Sequence, residues 1–333
     1  MQYQNNRIIV FDFLKLIAIW LVLYGHCEQH LIDIDRSENL IYSFIYTFHM
    51  PLFMMVSGYF ALSSLKMPFK DFVAKKARGL LLPVLTFSTV ITCLYYYGIY
   101  RFKVDLFAFA LLWLEQLNTW LWFLKSLFFC FLIYYTLGKS HSVIKALIFV
   151  VCIGIIWHNI GYLLPSFAVG CLIRKYDLLS NTRFKSAKII CSLFTVFVIL
   201  LSFYGNWVKE SVEFTDVNSI VMLYLRQSYR IIMGICGALS VFLMIYRTLG
   251  EYGGGRIYKF LCSCGKYTLQ IYVLQCVILE MVLPMYIKIP AAYGLVSHAA
   301  IFPLLSICIL VACVFLARII ERFKTVNLLI FGK

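Results

Sequence analysis

Apolar runs of about twenty residues recur along almost the whole chain, and this is the length that an α-helix needs to cross the hydrocarbon core of a bilayer. The 333 residues are 62% hydrophobic and only 14% charged, whereas soluble domains contain roughly 45–50% and about 25% of these classes. So few polar side chains cannot coat a soluble particle of this size. The sequence therefore predicts an all-α fold, a polytopic membrane helix bundle that forms a single membrane-embedded domain over residues 1–333.

Ten candidate spans follow when the apolar runs are separated at turn and charge breaks. They lie near 8–28, 40–62, 80–99, 120–138, 143–160, 162–174, 187–206, 219–246, 267–287 and 299–319. The sixth is short, and the stretch 104–114 is a candidate re-entrant or interfacial piece. The first run is too long for a cleavable signal peptide, and no small-residue cleavage site follows it.

The basic residues indicate how these spans are oriented. Of the Lys and Arg residues in loops and terminal segments, 21 fall on one side of the predicted bundle and five on the other. Cytoplasmic loops carry the excess of Lys and Arg, so both termini are predicted to be cytoplasmic. The formal net charge of +15 is then a topology signal, and we expect no nucleic-acid partner.

Cysteine spacing gives no indication of a metal site. Most of the 12 cysteines sit inside apolar runs, and Cys262 and Cys264, which are close in sequence, have one residue between them. That is not the spacing of zinc ligands, and buried cysteine normally behaves as a small hydrophobic side chain. We therefore expect neither a bound metal ion nor a permanently bound cofactor.

The first span carries three ionisable residues, Asp12, Lys15 and His26, and such groups cost several kcal/mol inside a bilayer unless they are paired or hydrated. Lys15 and His26 are 11 positions apart; at about 100° per residue they lie on one helix face, roughly 16 Å apart along the axis. Asp12 falls on the same face. This stripe predicts either a functional path into the membrane or an Asp12–Lys15 ion pair with His26 at the far end.

The second span and the basic hinge after it admit two interpretations each. His49, Pro51 and Ser57–Gly58 indicate either close helix packing or substrate access. The basic hinge consists of Lys75, Lys76 and Arg78. These residues either belong to a positive-inside loop or form a site that binds phosphates.

Further cations fall inside later spans. Lys125 lies in the fourth span, and Arg226 and Arg230 form an i, i+4 pair in the eighth. Glu280 of the ninth span is predicted at a similar depth. The arginines therefore either pair with Glu280 structurally or bind an anionic ligand from within a cavity.

Together these segments resemble the acyltransferase-3 family of integral membrane acyltransferases. The resemblance covers essentially the whole chain and keeps the order of the family's motifs. The matching elements are Lys15 and His26 with ten residues between them; Phe53, Ser57 and Gly58; Lys75, Lys76, Arg78 and Pro83; Trp122, Phe123 and Leu124; Phe167 and Gly170; and the segment GKYTLQIYVLQ. Gln275 stands where many members have histidine, so no proton-transfer role is assigned there.

The resemblance implies a transmembrane O-acyltransferase in the bacterial cytoplasmic (inner) membrane. It implies acetyl-CoA as the donor and a hydroxyl of a polysaccharide or lipid-linked carbohydrate as the acceptor. His26 is assigned as the catalytic base or a transient acyl carrier, and Lys15 and Asp12 are assigned with it to the catalytic residues. The residues assigned to binding the phosphates of the acetyl donor are Lys15, Lys75, Lys76 and Arg78. Those assigned to binding the acceptor are His49, Ser57, Trp122, Lys125, Arg226 and Arg230.

Two alternatives have different sequence signatures. A transporter or flippase for a glycolipid or small anion would also line a cavity with charged residues. Such proteins often have paired repeats with broken helices in corresponding positions, and the sequence indicates neither. A purely structural subunit gives no reason for so many charges inside the membrane.

Overall fold

The protein is all helical in the computed structural model, which describes residues 2–34, 38–64, 66–100, 105–138, 158–203, 217–250 and 255–333. These ranges contain no β-strand, only an isolated bridge between Ile32 and Ile289. Helices predominate because hydrocarbon offers no hydrogen-bond partner, so backbone groups must pair within each segment. The predicted all-α fold is confirmed.

The described ranges contain fifteen α-helices, numbered here in chain order. Their bounds are α1 Gln2–His30, α2 Leu40–Ser64, α3 Phe69–Lys76, α4 Leu82–Tyr100, α5 Leu106–Thr119, α6 Trp122–Gly138, α7 His158–Lys175, α8 Ala187–Ser202, α9 Val217–Leu249, α10 Arg256–Gly265, α11 Thr268–Gln275, α12 Leu283–Tyr286, α13 Gly294–Val296, α14 Phe302–Ile320 and α15 Lys324–Phe331. Wider π-helical turns join some of them end to end, at Ala77–Leu81, Cys276–Val282 and Ser297–Ile301.

Within the described ranges, six helical stretches are long and apolar enough to cross a membrane, which supports a multi-pass membrane protein. They are Ile9–His30, Leu40–Ser64, Phe69–Tyr96, Val221–Leu249, Thr268–Tyr286 and Ala291–Ile320. The helices α5 and α6, bent by 70° at a short break, would make a seventh if they count as one span.

The predicted count of ten spans is not confirmed by these stretches. The fifth candidate, 143–160, falls almost entirely outside the described residues. The seventh corresponds to α8, which at 16 residues is short for a complete crossing. The candidate re-entrant piece at 104–114 is the helix α5, the first half of the bent pair.

The helices α2 and α7 pack with their backbones in contact through two glycines. A Cβ atom placed on Gly58 would lie 2.0 Å from the carbonyl oxygen of Phe167, and one on Gly170 would lie 1.9 Å from that of Met55. Only glycine fits such gaps, and small residues allow this approach between membrane helices. The packing interpretation is therefore confirmed for Gly58.

Pro51 lies inside α2 without ending it. Proline has no N–H, so the carbonyl of Thr47, four residues earlier, loses its helical donor. Tyr162 of α7 supplies a replacement, because its hydroxyl donates to the Thr47 carbonyl oxygen at 2.8 Å. The neighbouring helix thus replaces the hydrogen bond that Pro51 removes from α2.

Gly58→Ala should destabilise the protein, because the added methyl group collides with the α7 backbone. Overpacking of this kind costs about 1–3 kcal/mol or more, and we expect the melting temperature in detergent to fall by several degrees. The matched control is Gly79→Ala, since a Cβ there would have no neighbour within 4 Å. Equal melting temperatures for the two variants would contradict the described α2–α7 contact.

Candidate active site

Asp12 and Lys15, one turn apart on α1, form an ion pair. Lys15 Nζ lies 3.0 Å from Asp12 Oδ1, and Asp12 is buried. Gly265, at the end of α10, packs directly on this turn, since a Cβ there would lie 1.9 Å from the Asp12 carbonyl oxygen. The Lys15 ammonium also lies 5.3 Å from the centre of the Phe60 ring. The ion pair expected from the sequence is confirmed.

A largely apolar cavity of about 350 Å³ lies beside this pair, and we call it the Lys15 cavity. Its polar side chains are few and come from α1, α2 and α11, so an alkyl chain would fit along it better than a sugar. Its lining residues are Lys15, Met50, Phe53, Val56, Ser57, Phe60, Leu80, Phe123, Leu124, Leu127, Phe131, Thr268, Leu269 and Tyr272.

A second cavity of about 210 Å³, the His26 cavity, has more polar groups in its wall. Met50 and Tyr272 line both cavities, so the two lie end to end with these side chains between them. The residues that line the His26 cavity are Val22, His26, Gln29, Tyr46, His49, Met50, Thr119, Trp120, Leu121, Trp122, Tyr272, Cys276 and Glu280.

His26 and Glu280 face each other in the wall of this cavity. His26 Nδ1 lies 3.7 Å from Glu280 Oε1, which is longer than a hydrogen bond, although catalytic contacts are often loose before substrate binds. A carboxylate beside one ring nitrogen favours the tautomer whose other nitrogen can accept a proton. Glu280 is thus a partner for His26. The sequence had suggested Arg226 or Arg230 as the partner of Glu280.

His30 also lies beside His26, and the sequence analysis did not single it out. The two rings are parallel within 3°, with their centres 5.6 Å apart. Their i, i+4 spacing on α1 was the signal available in the sequence. The pair is not evident from hydropathy, because His30 lies beyond the end of the first apolar run.

His49 lines the same cavity and is buried. Its Nδ1 lies 2.7 Å from the carbonyl oxygen of Ile45. A carbonyl only accepts, so Nδ1 carries the proton, and in the neutral ring Nε2 is the acceptor. The predicted contact of His49 with the acceptor is compatible with this position in the wall.

Residues at the break between α5 and α6 line both cavities. Leu121 has a positive φ of 50°, which lets the chain turn sharply, and it lines the His26 cavity together with Trp122. The next two residues, Phe123 and Leu124, line the Lys15 cavity. A non-helical turn is tolerated at membrane depth where it lines a cavity. The described residues contain one such bent pair, and its break follows the candidate re-entrant piece at 104–114.

Lys125 binds the end of α5 across this break. Its ammonium donates to the carbonyl oxygens of Leu117 and Asn118, both at 2.5 Å. These carbonyls belong to the last turn of α5, where backbone acceptors lack helical partners. Lys125 is absent from the described linings of the two cavities, so the contacts indicate a structural role beside the substrate-binding role predicted from the sequence.

The basic hinge lies next to the Lys15 cavity without lining it. Lys75 and Arg78 are exposed, whereas the Lys76 ammonium lies 3.4 Å from the centre of the Phe131 ring, a cation–π contact on the cavity wall. Leu80, in the π-helical turn after Lys76, lines the cavity itself. The hinge therefore places exposed cations close to an apolar cavity.

Arg226 and Arg230 lie on α9, away from the described linings of both cavities. The Arg230 guanidinium is centred 5.1 Å from the middle of the Tyr162 ring. Tyr162 is the residue whose hydroxyl donates to the Thr47 carbonyl of α2. Both arginines are half-buried. Their predicted role in acceptor binding stays a prediction.

A second acid on α1, Glu28, was also missed by the sequence analysis. It is 2% exposed, accepts a hydrogen bond from Asn39 Nδ2 at 2.9 Å, and lies 2.7 Å from His298 Nδ1. The hydroxyl of Tyr24 donates to the His298 carbonyl oxygen at 2.7 Å. This network ties the end of α1 to the turn before α14.

Four of the six elements that resemble the acyltransferase-3 family contribute residues to the two adjoining cavities, one beside a lysine and the other beside a histidine and an acid. The family's acyltransferase domain profile matches residues 8–321, nearly the whole chain. The protein belongs to the acyltransferase-3 family and is a membrane acyltransferase.

Two relatives extend over most of the chain. The nodulation protein NolL of Mesorhizobium japonicum is 26% identical over 351 aligned positions, which cover 98% of this chain and 91% of that protein. The nodulation protein NolL of Sinorhizobium fredii is 25% identical and covers 81% of this chain and 78% of its own length. No solved structure matches the chain.

Lys125→Met should lower stability, because the carbonyls of Leu117 and Asn118 would lose their shared donor. An unsatisfied polar group costs about 1–3 kcal/mol when buried, so we expect a melting temperature several degrees lower in detergent, with Lys125→Arg intermediate. Lys70→Met, at an exposed position of α3, is the control. If Lys125→Met melted like the wild type but bound donor or acceptor more weakly, the substrate-binding role would stand instead.

Proposed function

We propose that this acyltransferase moves an acetyl group from cytoplasmic acetyl-CoA to a hydroxyl of a carbohydrate, either a polysaccharide or a lipid-linked precursor. The observation that carries the proposal is the pair of adjoining cavities, one apolar with Lys15 in its wall and one polar with His26 and Glu280. A thioester on a long arm and a hydroxyl acceptor need two such environments that meet at one point.

The Lys15 cavity suits the pantetheine arm of the donor. Its wall is mainly aliphatic and aromatic, which favours a narrow, weakly polar chain over a hydrated ligand. The CoA phosphates need cations, and Lys15 together with Lys75 and Arg78 of the hinge would supply them. In this proposal both termini and the hinge face the cytoplasm, and the protein lies in the bacterial cytoplasmic membrane.

The reaction takes place where the cavities meet, near Met50 and Tyr272. The acceptor oxygen bonds to the acetyl carbonyl carbon while His26 takes the hydroxyl proton. The carbon–sulfur bond then breaks, and the proton passes from His26 to the departing CoA sulfur. If His26 instead carries the acetyl group transiently, its ring nitrogen attacks the acetyl carbonyl carbon, the carbon–sulfur bond breaks and CoA leaves as a thiolate. The acceptor oxygen then attacks the acyl-histidine, the carbon–nitrogen bond breaks, and the hydroxyl proton goes to the CoA thiolate. Glu280 stabilises the charged imidazolium in the first route.

The His26 cavity suits the acceptor. The indoles of Trp120 and Trp122 give flat surfaces, and polar groups from Gln29, Tyr46 and His49 share the wall. This mixture of rings and hydrogen-bonding groups matches the two faces of a sugar. Ser57, in the neighbouring cavity, lies closer to the donor in this scheme. Arg226 and Arg230 would bind an acidic group farther along the acceptor.

A transporter or flippase is the alternative, and the bent α5–α6 pair favours it to some extent, because transporters often use broken helices at their binding sites. The two functions differ in one measurement. Purified protein that releases CoA from labelled acetyl-CoA and places the label on a carbohydrate is an enzyme, whereas a transporter in vesicles moves its ligand and leaves the thioester intact.

His26→Ala should lower the turnover of acetyl transfer by about 100-fold or more, because general-base catalysis contributes on that scale. Release of CoA from acetyl-CoA in the presence of a carbohydrate acceptor measures it. His49→Ala should have a milder effect, and Glu280→Gln should alter the pH dependence of turnover as well as its size. A folded His26→Ala variant with more than about a tenth of wild-type turnover would contradict the assignment.

Lys15→Ala and Arg78→Ala should weaken acetyl-CoA binding more than acceptor binding, since phosphate attraction depends on these cations. The affinity for CoA, measured by calorimetry, should also fall as ionic strength rises. Lys66→Ala, which removes a cation from an exposed position before α3, is the control. Unchanged CoA affinity in both variants would show that the donor phosphates bind elsewhere.

A further inference from the structure

Three side chains beside the His26 cavity have the arrangement of a metal site. His26 and His30 lie one turn apart on α1, and Glu280 comes from the π-helical turn that follows α11. Each of the three offers one ligand atom, and these atoms all lie within 4.8 Å of one another. The structure contains no other such group of three among the residues it describes.

The chemistry of these ligands favours Zn²⁺. Two imidazoles and one carboxylate are a common ligand set for this ion, with an open fourth position for water. Bonds of about 2.1 Å place tetrahedral ligand atoms roughly 3.4 Å apart, so the three ligand atoms, all within 4.8 Å of one another, would approach one another by roughly 1.4 Å at most when the ion binds. His26 and Glu280 line the cavity, which leaves that open position accessible to solvent from the cavity.

We propose that His26, His30 and Glu280 bind one divalent zinc ion. A ligating imidazole is neutral and gives the lone pair of one nitrogen to the metal. Its other nitrogen then carries the proton, so a zinc-bound His26 accepts no proton from an acceptor hydroxyl. The ion would therefore inhibit the acyltransferase by occupying its base, a consequence that rests on the proposed function. The binding site itself does not.

Calorimetry with zinc chloride on the purified full-length protein tests the site without acyl donor. We expect one equivalent of zinc per chain, and an affinity roughly tenfold or more weaker in His30→Gln and in Glu280→Gln. Three of the described cysteines have exposed thiols, so the control is the triple variant Cys93→Ser, Cys191→Ser and Cys308→Ser, which should bind zinc like the wild type. Zinc X-ray absorption should show nitrogen and oxygen ligands.

Several outcomes would overturn the site. One is that a protein with a normal melting temperature binds less than one equivalent of zinc. The others are an unchanged zinc affinity in His30→Gln and sulfur ligands in the zinc X-ray absorption spectrum. Because His30→Gln could disturb α1, its melting temperature is measured beside its affinity. Loss of zinc affinity with an unchanged melting temperature supports the site, and His30→Asp, which retains a possible ligand, should recover part of the affinity.

Activity measurements separate this proposal from the proposed function. Zinc should inhibit acetyl transfer, a chelator should restore it, and His30→Gln should need more zinc for the same fractional inhibition of its own basal rate. Zinc that binds at one equivalent without inhibiting would support the metal site and contradict His26 as the base. Inhibition that persists unchanged in His30→Gln would place the inhibiting metal elsewhere and overturn the proposed site.

Discussion

Polar groups inside this bundle must find partners within the protein, because the surrounding hydrocarbon supplies none. The carbonyl that Pro51 leaves without a helical donor accepts the Tyr162 hydroxyl from α7. Lys125 serves two carbonyls at the end of α5, and Lys15 pairs with Asp12 within α1. Most of these contacts join one helix to another, so satisfying a polar group also fixes how the helices pack. The positions of the cavities follow from that packing.

The helix α2 has two differently used faces. Its Gly58 and Met55 lie against the backbone of α7, whereas Met50, Phe53 and Ser57 line the Lys15 cavity. The contact with α7 is too close for any side chain, so it fixes the rotation of α2 about its axis. That rotation aims the second face at the cavity. Gly58, a motif residue that lines neither cavity, thereby positions residues that line one.

The difference in polarity between the cavities accounts for the chemistry we propose. An apolar cavity with a cation at its wall matches a phosphorylated carrier whose arm is weakly polar, and the neighbouring polar cavity matches a hydroxyl-rich acceptor. The same histidine that accepts a proton in this scheme also lies within ligand distance of His30 and Glu280. Proton transfer and metal binding use the same ring, so a bound ion would exclude catalysis. Zinc availability would then control the activity of the enzyme.

The sequence by itself determined the all-α fold, most positions of the long apolar helices, and the alignment of Asp12, Lys15 and His26 on one helix. These features depend on hydropathy and on the helical period, which are local properties of the chain. Only the tertiary structure decided that Glu280 faces His26, that His30 completes a group of three, and that α5 and α6 bend at Leu121. From the sequence, Glu280 was grouped with Arg226 and Arg230 because the three residues were predicted at a similar depth in the membrane. Depth does not reveal how a helix is rotated about its axis. That rotation is set by contacts between distant segments, such as Gly58 on Phe167 and Gly265 on Asp12, which no local pattern encodes.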